Sequence, residues 1–435
     1  MKNLDLVKKS KEIFKVALIN LVVLLVFLEI GSLGFYWLKH KQFFYTRDLS
    51  KDNEFQKQLE GVRLSDSIVE RFHPFFGFVQ KPSLDFRPGF KVNNYGFISP
   101  YDYPYKKKSK KQFIIGIFGG SVASNFSIFE VKNKIIANQL KQKIPQLKNK
   151  DIIVLSFATG GYKQPQQLLI LNYFLALGQE FDMVINIDGF NEVALSNLNN
   201  HNQVDIAMPS IQHILPLTNL ANNSLSPKAL TALLRIQQIK TQLKESLDGL
   251  KECKIATCHA FTSLYLHSLL NNYQKEIVRF DREKEKRTEE GSVIYLNTNR
   301  SILKDEVAFE QMASLWAKSS IGMHKVLLPN QVFYFHFLQP NQYYKTNRVF
   351  SEKEKKIAFN NETPYAKSVE IGYPLLFNKT KNFQKNNINF FNAAYVLDDV
   401  KDPVYVDNCC HYNAIGEKTF ANYVADIIVK VLSKK

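Results

Sequence analysis

A serine, a histidine, an asparagine and several carboxylates are spaced along this chain so that they could carry acyl-transfer chemistry. Residues 113–127 read FIIGIFGGSVASNFS, an apolar run from Phe113 to Phe118 that ends in Gly119-Gly120-Ser121. Such a stretch could cradle a phosphate, turn a strand into a helix with no chemistry, or seat a nucleophile. The phosphate reading lacks its spacing. There is no G-x-x-x-x-G-K-[ST], no lysine follows to hold phosphates, and G-x-G-x-x-G is missing too. A serine at a strand end, beside a helix N-terminus, sits where backbone N–H groups can stabilise an oxyanion. It needs a base. The segment VDNCCHYNAIGEK offers His411 before the last helix, with Asp407 four residues earlier as the group that could orient the imidazole.

Two more strand ends add to this pair. ATGGYKQ closes a second apolar strand with Gly160 and Gly161, and DGFNEV closes a third with Asp188, Asn191 and Glu192. In an open parallel sheet, ligands bind at the carboxyl ends of the strands. Three polar loops and His411 should therefore meet in one crevice. The other histidines singled out, His73 and His336, are expected to be packed or interfacial.

At this point the chain resembles the SGNH (GDSL-type) hydrolases, of the membrane-anchored bacterial type. FGGSVA is similar to their first block, whose serine is the nucleophile, which implies Ser121. ATGGYKQ is similar to the second, whose glycine N–H joins the oxyanion hole, which implies Gly161 beside the N–H of Ser121. DGFNE resembles the third, whose asparagine donates to the oxyanion, which implies Asn191. DNCCHYN resembles the last, which supplies the histidine base and its acid. VNNYGF (92–97) resembles a segment that often precedes the first block in anchored members. The blocks stand in family order and cover roughly 113–200 and 330–435. Three positions depart from the pattern. Gly120 stands where the family carries Asp, and Glu192 stands where the third block ends in Asp. The acid usually lies three residues before the histidine, where this chain has Asn408. A small bulge at Cys409-Cys410 would bring Asp407 within reach; otherwise Asp402, Asp399 or a backbone carbonyl orients His411.

Several elements must hold these residues. Apolar strands are expected at 113–118, 151–159, 181–189 and 331–340, with a last strand at 403–407. Helices are expected at Phe129 to Lys143, 164–179 with Pro165 in the first turn, and Gly416 to Leu432. Apolar strands alternating with helices indicate α/β architecture with a parallel sheet covered on both faces. The resemblance implies a three-layer α/β/α, flavodoxin-like hydrolase domain. Segment 71–100, rich in Pro, Gly and Phe, reads as extended pieces and turns. The run 105–112 reads as solvated and basic, and 345–390 as loop. A long helical stretch from Ala229 to about Glu290 ends in the charge run RFDREKEKRTEE, read as a solvated face.

The first forty residues set the domain plan. Lys8, Lys9, Lys11 and Lys15 precede the apolar run Val16 to Leu38. At about 1.5 Å per residue, a helix over that run is long enough to cross a bilayer. Bulky aromatics, Tyr36 and Trp37, close it, where a cleaved signal would have small residues. The expected plan is a cytoplasmic tail (1–15), a transmembrane signal anchor (16–38), a stalk and N-terminal extension (39–112), and an extracytoplasmic hydrolase domain (113–435) with a helical insertion at about 200–325. Glu29 falls inside the span, where a carboxylate suggests a function or a partner helix. The preferred reading is a protonated or water-reaching side chain on a tolerant single anchor.

The 435 residues are 45% hydrophobic and 22% charged, which excludes disorder over most of the chain. The formal charge of +17 suits an anionic polymer or lipid headgroups, or simple solubility. Zinc-finger spacing and a basic-aromatic RNA signature are both missing, so nucleic acid is not an expected partner. Cys253 and Cys258 could bridge outside the cytoplasm, and Cys409 and Cys410 read as small buried residues. No metal or organic cofactor is implied. The expected function is a serine esterase acting on acyl, favourably acetyl, esters of envelope carbohydrate or lipid. The alternatives are a polysaccharide O-acyltransferase with the same triad, and a non-catalytic envelope scaffold with a degenerate site, whose insertion binds an envelope protein.

Overall fold

The structure, a computed structural model, describes residues 2–47, 70–82, 85–87, 89–218, 226–284, 301–360 and 363–434. The elements run in this order. Helix α1 (Lys2–His40) is followed by the short strands β1 (Glu70–His73), β2 (Gly77–Gln80), β3 (Asp85–Arg87), β4 (Phe90–Val92) and β5 (Ile98–Ser99). Then come β6 (Gln112–Gly119), α2 (Ser121–Asn133), α3 (Ile135–Lys143), β7 (Asp151–Ala158), α4 (Gln166–Ala176), β8 (Met183–Asp188) and α5 (Phe190–His201). Helices α6 (Ile211–Thr218), α7 (Pro227–Glu252), α8 (Ala256–Lys284) and α9 (Asp305–Leu327) precede β9 (Phe333–Leu338). The chain closes with α10 (Glu352–Ala358), α11 (Tyr365–Lys379), α12 (Lys381–Lys385), β10 (Asn389–Asn392) and α13 (Ala414–Leu432). Two compact units result: Ile68–Thr218 with Ile294–Lys435, and Met1–Ser67 with Asn219–Val293.

The first of these units is a three-layer α/β/α sandwich. Its five-stranded sheet has the order β10-β9-β8-β6-β7, all parallel, which is the flavodoxin-like strand order. β6 and β8 are buried along their whole length, as their unbroken apolar runs require of strands covered on both faces. Helices α2, α3 and α13 pack together, and α4, α5, α9 and α11 form the other group. Gly119 pairs with both Ala158 and Ile187, so β6, β7 and β8 end level with one another. The chain leaves β6 toward β7 on one side, and β8 lies on the other. The crevice therefore opens where the strand order reverses, above these three ends.

Several expectations change. The segment 403–407 is not a strand: Tyr405 makes only an isolated bridge to Tyr412, and the sheet ends instead at β10. Much of 345–390 is helical rather than loop. Val369, Tyr373 and Leu376 are buried at helical spacing on α11, a stripe masked in the sequence by lysines, asparagines and Pro374. The helix after β6 starts at Ser121 rather than Phe129, because Val122, Ala123 and Phe126 already face the core. The end of the charge run, 285–290, lies outside the described residues, as do 48–69 of the stalk.

The second unit is built on α1, whose segment Ile13–His40 is long and apolar enough to cross a membrane. Helices α7 and α8 form a hairpin closed over Leu243, Leu250, Leu266, Leu269 and Tyr273. A Cys253–Cys258 disulfide bridges its turn, while Cys409 and Cys410 are free thiols. Glu29 is half-buried and has a partner helix. Its carboxylate accepts hydrogen bonds from the backbone N–H of Ala256 (2.7 Å) and Thr257 (2.9 Å) and from the Thr257 hydroxyl (2.6 Å). The carboxylate thus finds its partners at the first turn of α8, where orphan N–H groups need acceptors.

Candidate active site

Ser121 is the first residue of α2 and follows the positive-φ Gly119 at the end of β6. That turn lifts its side chain out of the sheet. The Ser121 hydroxyl lies 2.7 Å from Nε2 of His411, and Nδ1 of the same ring faces Oδ2 of Asp407. Ser121, His411 and Asp407 thus form one hydrogen-bonded line. Asp402 and Asp399 are not in it: Asp402 offers a backbone carbonyl to Arg348.

The four-residue spacing of Asp407 and His411 works because the chain curls around the carboxylate. Oδ1 of Asp407 accepts from the backbone N–H of Cys409 (2.9 Å), Cys410 (3.1 Å) and His411 (3.3 Å). This absorbs the extra residue and leaves Oδ2 aimed at the ring. The cysteine sulfurs lie 3.2 Å apart beside it. Cys409, Cys410 and His411 place three donor atoms within 4.8 Å of one another. Both ring nitrogens of His411 are already engaged by Ser121 and Asp407, so this trio offers no imidazole to an ion.

Electrostatics follow from this wiring. Burial pulls the His411 imidazole down, but the hydrogen bond and charge of Asp407 outweigh it, so its pKa is raised above the usual value. Burial pushes the Asp407 carboxyl up, but the imidazole and the backbone N–H groups outweigh that and hold it low. Asp407 is thus the charged partner of a ring that accepts a proton readily.

Three donors gather at the end of the line. The backbone N–H groups of Ser121 and Gly161 have no acceptor among the described residues. Asn191, one residue into α5, donates one amide hydrogen to the Tyr162 carbonyl (2.8 Å), which fixes the amide beside Gly120. A Cβ on Gly120 would overlap this amide. An aspartate there would require the Asn191 side chain to move.

The loops are tied together from beneath. Glu192 accepts from the N–H groups of Gly189 (2.7 Å) and Gln164 (2.9 Å) and from the Gln167 side chain (3.0 Å), joining the loops that follow β7 and β8. Burial and the nearby Asp188 push its carboxyl well up. Asp188 itself binds Nε2 of His336 (2.7 Å), Nε1 of Trp316 (2.7 Å) and the Asn186 amide (2.7 Å). His336 is fully buried there and has no access to a ligand, and His73 stacks on Phe76.

One pair had no signal in the sequence. His213, on α6, stacks on Phe78 with ring centres 4.5 Å apart, and its Nδ1 lies 2.7 Å from Oε1 of Glu70. The Nε2 edge of this ring covers Gly161, so closely that a Cβ there would overlap it. Gly161 also has φ +81°. Glycine is thus required twice, by conformation and by the approaching ring. Gly160 in turn packs toward Ser121 Cβ. The His213–Glu70 pair and Ser121 thus flank one Gly-Gly turn.

No family model matches the chain, and no curated protein matches it either. Among solved structures, it is similar to a candidate acylhydrolase from Bacteroides fragilis, with 10% identity and a TM-score of 0.34 over 76% of this chain and 91% of the other. It is also similar to a GDSL-like lipase from Bacteroides thetaiotaomicron, with 10% identity and a TM-score of 0.33 over 76% and 92%. Likeness at that level carries no argument for activity, which must come from the chain's own geometry.

Proposed function

We propose that the protein is a membrane-anchored, extracytoplasmic serine ester hydrolase acting on acyl esters of envelope carbohydrate or lipid. The observation that carries this is the hydrogen-bonded line Ser121–His411–Asp407. His411 Nε2 takes the hydroxyl proton as Ser121 Oγ attacks the ester carbonyl. The oxyanion meets the N–H groups of Ser121 and Gly161 and the Asn191 amide. His411 returns the proton to the leaving alcohol, which departs and leaves an acyl-serine. Water, deprotonated by the same imidazole, then releases the acid and restores Ser121. Asp407 keeps the ring in the tautomer and orientation this needs.

Retention of α1 is supported by the bonds that Glu29 makes to α8, which a cleaved leader would remove. A degenerate scaffold is disfavoured, since the shifted acid reaches its histidine. Acyl transfer is the second reading, and the Glu70–His213 pair favours it. The pair sets a second imidazole, held by a carboxylate, beside Gly161, where an acceptor hydroxyl would approach.

The test is turnover of p-nitrophenyl acetate by the full chain in detergent, with and without a methyl glycoside. Turnover is expected, and Asn191→Ala should lower kcat by about 100-fold with KM little changed, near the usual worth of one oxyanion donor. An acceptor-dependent acetyl glycoside would select transfer over hydrolysis. A folded protein with no turnover contradicts the proposal.

A further inference from the structure

We propose that the tip of the α7–α8 hairpin is a second membrane contact, an interfacial wedge that enters the same leaflet through which α1 emerges. This rests on the reading of α1 as a retained membrane span. The geometry begins with Glu29, which lies eleven residues before His40 on one continuous helix. At about 1.5 Å per residue that is roughly 16 Å along the axis, within the apolar segment. The first turn of α8 is hydrogen-bonded to this carboxylate through Ala256 and Thr257. The Tyr45 hydroxyl donates to the same carboxylate at 2.8 Å.

The tip is held on its other side as well. Arg47 donates to the carbonyl of Cys253 (2.7 Å), where α7 ends, and Tyr36 and Phe44 pack edge-on against His259. The Cys253–Cys258 disulfide closes the turn between these contacts. Wherever α1 meets the outer leaflet, the first turns of α8 lie beside it.

Those turns are dressed for lipid. Ile255, Phe261, Leu264 and Tyr265 expose 52%, 61%, 62% and 49% of their surface, although each is large and apolar. The exposed face of α8 continues through Ser268, Asn271, Asn272 and Lys275, so it becomes mainly polar with distance from Glu29, with Val278 an exposed apolar residue beyond and Lys254 a charge at the turn. Across the hairpin, α7 exposes Asp248, Lys251 and Glu252, with Lys251 paired to Asp248 at 3.3 Å. An apolar face backed by a charged one, at one end of a hairpin, is the pattern of an interfacial element. The helix that carries this patch is bonded at its first turn to Glu29, inside the apolar run of α1 whose exposed side chains, among them Ile30 and Phe35, the bilayer itself would cover. Lipid is therefore the occupant.

The test places the full chain in vesicles containing a phospholipid with a diazirine in its acyl chain, followed by photolysis, reduction and peptide mapping. Adducts are expected on 16–38 and on 255–265. Glu29→Leu should lower the ratio of the second to the first at least five-fold. The double variant F261S/L264S, altered only at exposed positions, should lower it too if Glu29→Leu does not fold. Adducts on 16–38 alone would overturn the wedge and leave the anchor standing. Adducts on neither would overturn both, and an unchanged ratio in the folded variants would overturn the role of Glu29 and the exposed face.

Discussion

The reach of Asp407 to His411 is a matter of local backbone. Three consecutive N–H groups curl around one carboxylate oxygen and so present the other to His411. Asp407→Asn should lower kcat by at least about 100-fold, because the ring loses its charged orienting partner. It should also move the acid limb of the pH–rate profile to lower pH. Asp407 holds the His411 pKa above its usual value. The wild-type limb should therefore fall above pH 6.5 and the variant's nearer to it or below. A limb that stays in place would remove Asp407 from the role. The Ser121–His411 contact was legible because both residues sit in short motifs at element boundaries, as Gly161 and Asn191 also do. His213 and Glu70 were not, since 143 residues separate them and neither stands in a local pattern.

Among the elements, strands were easier to read than helices. The unbroken apolar runs of β6 and β8 announce a buried parallel sheet, whereas α11 hides its buried stripe among lysines and asparagines. The break between α2 and α3 also escaped sequence reading. It occurs at Lys134, in the left-handed region at φ +55°, and Glu130 spans it by accepting from the N–H of Ala137 at 3.1 Å. Burial raises the Glu130 carboxyl from its ordinary 4.5 to about 7. The folded chain thus keeps this proton where the unfolded chain loses it, so the contribution of Glu130 to stability falls as pH rises from 4.5 to 7 and is flat above. The size of that fall is on the order of 3 kcal/mol. Glu130→Gln should shrink the difference between urea midpoints at pH 5 and pH 8. An equal difference in the variant would place the pH dependence elsewhere.

For the whole molecule, the chain joins an α/β unit that carries the Ser121–His411–Asp407 line to a helical unit built on an apolar N-terminal helix. The charge of +17 and the lysines before that helix fit a body presented to anionic envelope material. A reporter fused after Lys435 should be active only outside the cytoplasm; activity confined to the cytoplasm would reverse the orientation. The central claim concerns Ser121 as nucleophile. Its most direct test is reaction of the full chain with a fluorophosphonate, followed by mass spectrometric mapping. The account predicts one adduct, on Ser121, that disappears in Ser121→Ala and is strongly slowed in His411→Ala. Folded protein that takes no adduct, or takes it on another serine, would contradict it.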